Sequence, residues 1–132
     1  MDISLIELKI MGDERGSLIA LEENHNVPFD VKRVYYIFGT KTGVRRGYHA
    51  HKHLKQFAIC VSGSCMFMLD DGTQKKHIEL NSPTQGLLIE GLLWREMYDF
   101  SSDCVLMVLA SELYDENDYI RDYDEFIKMV VS

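Results

Sequence analysis

At 132 residues, 46% of them hydrophobic, the chain is one domain long, and a domain of this size buries roughly two-thirds of its unfolded surface, enough for a packed core. The net charge of −7 is concentrated in Glu112–Glu125, where seven acids stand against one base, Arg121. This balance argues against nucleic acid as a partner, and no basic-then-apolar leader or membrane-length apolar run is found, so a cytoplasmic protein without membrane contact is expected.

Ile3–Met11 alternates mostly apolar with polar, as a half-buried strand does, and Gly12–Gly16 turns the chain. Leu18–Glu22 is expected as a second strand, and Asn24–Pro28 as a loop. Val31–Phe38, rich in β-branched and aromatic residues, follows as a third strand. Strands are then predicted over Arg45–His53, Gln56–Val61 and Cys65–Leu69, with a tight turn at Asp70-Asp71-Gly72. Lys75–Leu80, Gly86–Glu90, Leu93–Phe100 and Cys104–Ala110 continue the pattern. Many short strands at even spacing indicate an all-β sandwich or barrel, here one domain over residues 1–132. Only the tail differs: apolar residues from Asp118 to Val131 recur at helical spacing, and Asp122 followed by Glu125 supplies a helix cap. The three cysteines, Cys60, Cys65 and Cys104, lie in apolar strands and read as buried free thiols.

The chemistry gathers around Arg45-Arg46-Gly47-Tyr48-His49-Ala50-His51-Lys52-His53. In a strand, His49, His51 and His53 share one face. From Val31 to Leu69 there is no acid, while Lys32, Arg33, Lys41, Arg45, Arg46, Lys52 and Lys55 supply seven cations, which points to an anionic ligand. A single histidine is more often structural than catalytic, but three alternating ones beside Arg45 and Arg46 reverse that weighting. His25 and His77, in polar surroundings, read as structural. Of Tyr35 and Tyr36, only the one that faces the interior is a candidate. Trp94 is by default a packing residue.

Gly43, His49, His51, Gln56 and Gly63 reproduce the spacing of the first cupin motif, with Gln56 in place of its glutamate, and Arg95 falls where a second-motif histidine ligand would stand. Two imidazoles, an amide and a guanidinium match a divalent metal poorly, because arginine cannot ligate, so no metal and no cofactor is expected. His53 is the one residue that alternation offers as a replacement ligand. Without a metal, the imidazoles suit proton transfer on an anionic substrate.

Over nearly its whole length the chain resembles the sugar 3,4-ketoisomerases, small cupin proteins acting on dTDP-4-keto-6-deoxyglucose on the way to dTDP-linked 3-amino-3,6-dideoxyhexoses. The likeness is carried by Arg15-Gly16-Ser17-Leu18, Lys32-Arg33-Val34-Tyr35-Tyr36-Ile37, Arg46-Gly47-Tyr48-His49-Ala50-His51-Lys52, Trp94-Arg95-Glu96-Met97 and Asp118-Tyr119-Ile120-Arg121. It implies a jelly-roll β-barrel with a C-terminal helix over about 118–131, and His49 as principal acid/base with His51 and Tyr35 assisting. It also implies Arg33 and Arg46 on the pyrophosphate, with Arg15, Gln56, Trp94, Arg95 and Arg121 in the substrate-contacting set. A homodimer exchanging the strand at about 3–11 is implied as well. Arg15 resembles the galacto-forming members and Arg95 the gluco-forming ones, so the product configuration at C4 stays open. Alternatives are a dTDP-4-keto-6-deoxyglucose epimerase, a non-catalytic nucleotide-sugar-binding cupin and a metal-dependent cupin oxygenase.

Overall fold

The computed structural model describes residues 1–132, and their strands pair into two five-stranded sheets and one hairpin. In chain order the strands are β1 Ser4–Glu7, β2 Met11–Asp13, β3 Gly16–Leu18, β4 Arg33–Phe38, β5 Arg46–His51 and β6 Gln56–Ser62. They continue with β7 Cys65–Asp70, β8 Lys75–Leu80, β9 Gln85–Ile89, β10 Trp94–Tyr98, β11 Val105–Ala110 and β12 Tyr119–Ile120, before helix α1, Tyr123–Val131. One sheet runs β1-β9-β6-β11-β4, the other β12-β5-β10-β7-β8, all neighbours antiparallel. This is the jelly-roll sandwich expected of a cupin, with the short C-terminal helix in place.

The core follows from strand periodicity. In the central strand β6 every residue from Gln56 to Cys60 is buried: Ala58 and Cys60 meet Phe67, Leu87, Leu106 and Val108 between the sheets, while Phe57 and Ile59 pack outward under Leu8, Val27 and Phe29. On the far side of the second sheet, Phe126 of α1 closes over Ala50, Met68, Trp94 and Ile120. Edge strand β4 alternates: Arg33, Tyr35 and Ile37 turn inward, and Val34, Tyr36 and Phe38 stay exposed.

Three element boundaries differ from expectation. The segment expected as one strand over Ile3–Met11 divides into β1, paired with β9, and β2, which turns back on β3. The break falls where the Leu8 N–H donates to Thr84 O and its side chain enters the core. The strand expected over Leu18–Glu22 ends at Leu18, because β3 begins earlier, at Gly16; a Cβ on Gly12 would lie 2.2 Å from the Gly16 carbonyl oxygen, so the tight hairpin needs glycine there. The helix expected over 118–131 starts only at Tyr123. Asp122 caps it as expected, accepting from the Asp124 and Glu125 N–H groups, but Tyr119 and Ile120 pair instead with His51 and Ala50 of β5. No helix is long and apolar enough to cross a membrane.

Candidate active site

Strand β5 delivers the histidines through a bulge. Arg95 pairs with His49 and Glu96 with Gly47, so Tyr48 is an extra residue, held with Gly47 at positive φ. Gly47 is required because a Cβ there would sit 2.7 Å from the Arg95 carbonyl oxygen. Beyond the bulge both His49 and His51 reach the interior, their ring centroids 4.9 Å apart.

Each imidazole has its Nδ1 occupied. His49 Nδ1 lies 3.1 Å from Gly47 O, which can only accept, so the proton sits on Nδ1 and Nε2 keeps a lone pair. His51 Nδ1 lies 3.0 Å from Asp118 Oδ2, and the Asp118 carboxylate also accepts the His53 N–H at 2.8 Å and the Leu54 N–H at 3.2 Å. His51 Nε2 is buried without a partner. Tyr119 tilts over both rings, at 5.0 Å from His49 and 4.3 Å from His51. Arg121 stacks on its ring at 4.2 Å while its Nε and Nη2 bind the Glu116 carboxylate.

Burial sets the charge state. It pushes the His49 imidazole down to about 4, helped by the nearby Arg95 guanidinium and opposed by Gly47 O. His51 moves the same way, first through burial, then through Arg95 and His49, with Asp118 opposing. Both rings are therefore neutral near pH 7 and able to accept a proton. Arg95, only 1% exposed, is lowered to about 10 by burial and remains a cation; Tyr35 is raised by burial and remains a phenol. Arg95 Nη1 donates to Gln56 Oε1 and its Nη2 to Leu93 O, and Gln56 Nε2 donates to Tyr35 Oη at 2.9 Å.

Two spaces border this cluster. An outer cleft of about 750 Å³ is lined by Lys32, Arg33, His51, His53, Tyr114 and Tyr119 among others. A far smaller inner pocket of about 20 Å³ is lined by Tyr35, His49, Gln56 and Arg95 with apolar neighbours. Arg33 stands between them, 5.4 Å from the Tyr35 ring centroid and 5.9 Å from that of Tyr114, with its Nε buried and unpartnered.

The family described as "FdtA: WxcM-like, C-terminal" matches residues 1–131. A curated relative from Aneurinibacillus thermoaerophilus, TDP-4-oxo-6-deoxy-alpha-D-glucose-3,4-oxoisomerase, is 55% identical over 132 residues, 100% of this chain and 95% of that protein. The chain belongs to the WxcM-like sugar 3,4-ketoisomerases. Among solved members of that family, a 3,4-ketoisomerase from Helicobacter canadensis superposes with a TM-score of 0.96 at 51% identity, covering 100% of this chain and 99% of the other. A mutant of the 3,4-ketoisomerase from Thermoanaerobacterium thermosaccharolyticum, in complex with TDP-4-keto-6-deoxyglucose, gives 0.94 at 48% identity, covering 97% and 93%.

The ketoisomerase fold brings together Tyr35, His49, His51, Gln56 and Arg95, with Arg33 on the cleft and Arg121 behind Tyr119. It leaves three expected substrate contacts apart from them in this chain. Trp94 adjoins Arg95 in β10 and so faces the opposite way, packed at 5.2 Å on Tyr123 and donating to Glu96. Arg46 is exposed at the start of β5 and lines neither space. Arg15 is on the β2–β3 turn, its side chain 86% exposed and paired with Asp13. Strand β5 ends at His51, where Asp118 captures the Lys52, His53 and Leu54 N–H groups, and the exposed His53 lines the outer cleft with His51 but not the inner pocket of His49.

Asp118 and Tyr119 are the residues that sequence reasoning missed. Both belong to the acidic tail, where the spacing predicts a helix from Asp118 on, and no local pattern reports a contact 67 residues away in sequence. A divalent ion does not fit here. The Gln56 amide oxygen, the one neutral oxygen ligand of the motif, is turned onto a guanidinium, and a cation beside two imidazoles repels a second one.

Proposed function

We propose that this chain is a 3,4-ketoisomerase converting dTDP-4-keto-6-deoxyglucose to a dTDP-3-keto-6-deoxyhexose, with its own side chains as the proton carriers. The observation that carries the reading is the pair of neutral, lone-pair-bearing imidazoles facing a phenol and a buried guanidinium, beside a cleft bearing Lys32 and Arg33. The 4-ketone acidifies the hydrogen on C3. His49 takes that proton, O4 gains one from Tyr35 as the enediol forms, and O3 gives up its proton to His51. The His49 imidazolium, its proton exchanged with solvent, protonates C4 to leave the ketone at C3, while return of the His51 proton to the Tyr35 phenolate through solvent restores the site. The substrate loses no electrons, so the site needs donors and acceptors rather than a redox group. Arg33 and Lys32 anchor the diphosphate away from the reacting carbons, with the fork of Arg33 suited to phosphate oxygens.

Proton NMR of the protein with dTDP-4-keto-6-deoxyglucose in deuterated water tests this. Migration of the ketone to C3 with deuterium gained at C4, unchanged after chelator treatment, is expected, and ring couplings read the C4 configuration. A ketone that stays at C4 with an inverted centre would make the protein an epimerase; binding without exchange would make it a nucleotide-sugar-binding module.

The exposed stripe of Val34, Tyr36 and Phe38 on edge strand β4 supports a second copy of this chain as partner, with the segment at about 3–11 exchanged so that each β1 keeps its register on a β9. Light scattering at twice the chain's 15.3 kDa mass is the expected outcome.

A further inference from the structure

The polarity of the Arg95–Gln56–Tyr35 chain is fixed at one end. A guanidinium has donors and no acceptor, so the Gln56 oxygen must be the atom facing Arg95. The amide nitrogen then has to face Tyr35 and donate to its oxygen. A phenol that receives a hydrogen bond at that position directs its own O–H elsewhere, and the open direction is the inner pocket it shares with His49. Gln56 and Arg95 are buried, at 4% and 1% exposure, and Tyr35 is half-buried against them.

We propose that Gln56 is a positioning residue rather than a substrate contact: anchored by Arg95, it turns the Tyr35 hydroxyl proton toward the reacting hexose. This rests on the ketoisomerase reading above. It also supplies a physical reason for the departure from the cupin motif at this position. A glutamate here would still satisfy Arg95, but its other oxygen could only accept, so Tyr35 would donate its proton back to position 56 and present a lone pair to the substrate instead.

A double-mutant cycle tests the relay. Gln56→Glu keeps the side-chain length and the partner of Arg95 while reversing the Tyr35 hydrogen bond. Its kcat is expected to fall about 100-fold, the range for losing one donor to a developing oxyanion, with KM within about threefold. Tyr35→Phe should cost a similar factor. In the Tyr35→Phe background, Gln56→Glu should change kcat by less than about threefold, because no hydroxyl remains to be turned. Gln56→Met, which retains the volume without the reversed acceptor, gives a second route if the glutamate variant does not fold, and its loss too should vanish in the Tyr35→Phe background. Losses that multiply across the cycle, or a Gln56→Glu enzyme within about threefold of wild type, would overturn the relay. Wild-type protein that moves no ketone would instead overturn the ketoisomerase reading, so the two failures are distinct.

Discussion

Strand β6 carries two buried neighbourhoods on one inward face. Gln56 at its start belongs to the histidine cluster, and Cys60, four residues on, belongs to the three-thiol cluster at the opposite end of the sandwich. The thiols of Cys60, Cys65 and Cys104 lie within 4.8 Å of one another, with Cys60 and Cys104 Sγ 3.6 Å apart, and all three residues are buried. Contact with Cys60 and burial push Cys65 up, and burial raises Cys104 to about 12, so these two remain thiols. What separates the two ends is unused bonding capacity. The buried side-chain atoms without a partner, Arg33 Nε, His51 Nε2 and Arg95 Nε, all belong to the histidine end. The thiol end behaves as small apolar packing, whereas the histidine end is left unfinished for a ligand to complete.

That contrast orders the expected effects. His49→Asn at the histidine end should lower kcat by about a thousandfold, within the range for loss of a general base, while dTDP binding persists, as isothermal titration would check. Asp118→Asn should lower kcat by about 10- to 100-fold with little change in KM, since the amide no longer holds the His51 proton on Nδ1; nitrogen chemical shifts of the ring would record the change of tautomer. Arg33→Ala on the cleft should mainly raise KM, by about tenfold, the loss expected for one charge-assisted contact to phosphate.

The pH dependence of stability separates the same two ends. With His49 at about 4 in the folded chain against 6.5 for a free imidazole, the unfolded chain binds the proton first as pH falls. Stability should therefore drop between about pH 6.5 and about 4 and level off below, as far as this group is concerned; urea unfolding across that window should give His49→Asn a shallower slope than wild type. The smallest effect belongs to the thiols. Cys104→Ala should leave kcat within about twofold and cost on the order of 1 kcal/mol of stability, and a large loss of turnover would erase the distinction between the two ends.

Several parts of the site were legible because they are local. Period-two alternation placed His49 and His51 together and left one of Tyr35 and Tyr36 to face inward, and Asp122 announced the start of α1. The same rule, applied strictly, forbids Trp94 and Arg95 from sharing a face; the ketoisomerase resemblance grouped them as one motif, but the backbone gives Arg95 to the interior and Trp94 to the helix. The histidine strand stopped at His51, short of His53, because a strand continues only while its N–H groups have ladder partners, and Asp118 took them.

The amino-acid sequence by itself determined the succession of strands along the chain, the inward histidine pair and the cationic middle of the chain, and its motifs carried the resemblance to the family. The first three follow from residue spacing and composition, which need no knowledge of what lies across the sheet. Only the tertiary structure decided that Asp118 orients His51, that Tyr119 covers both imidazoles, and that Gln56 faces Arg95 with its oxygen and Tyr35 with its nitrogen. Each of these depends on a contact between strands far apart in the chain, and the direction of a hydrogen bond is set by the partner that cannot accept.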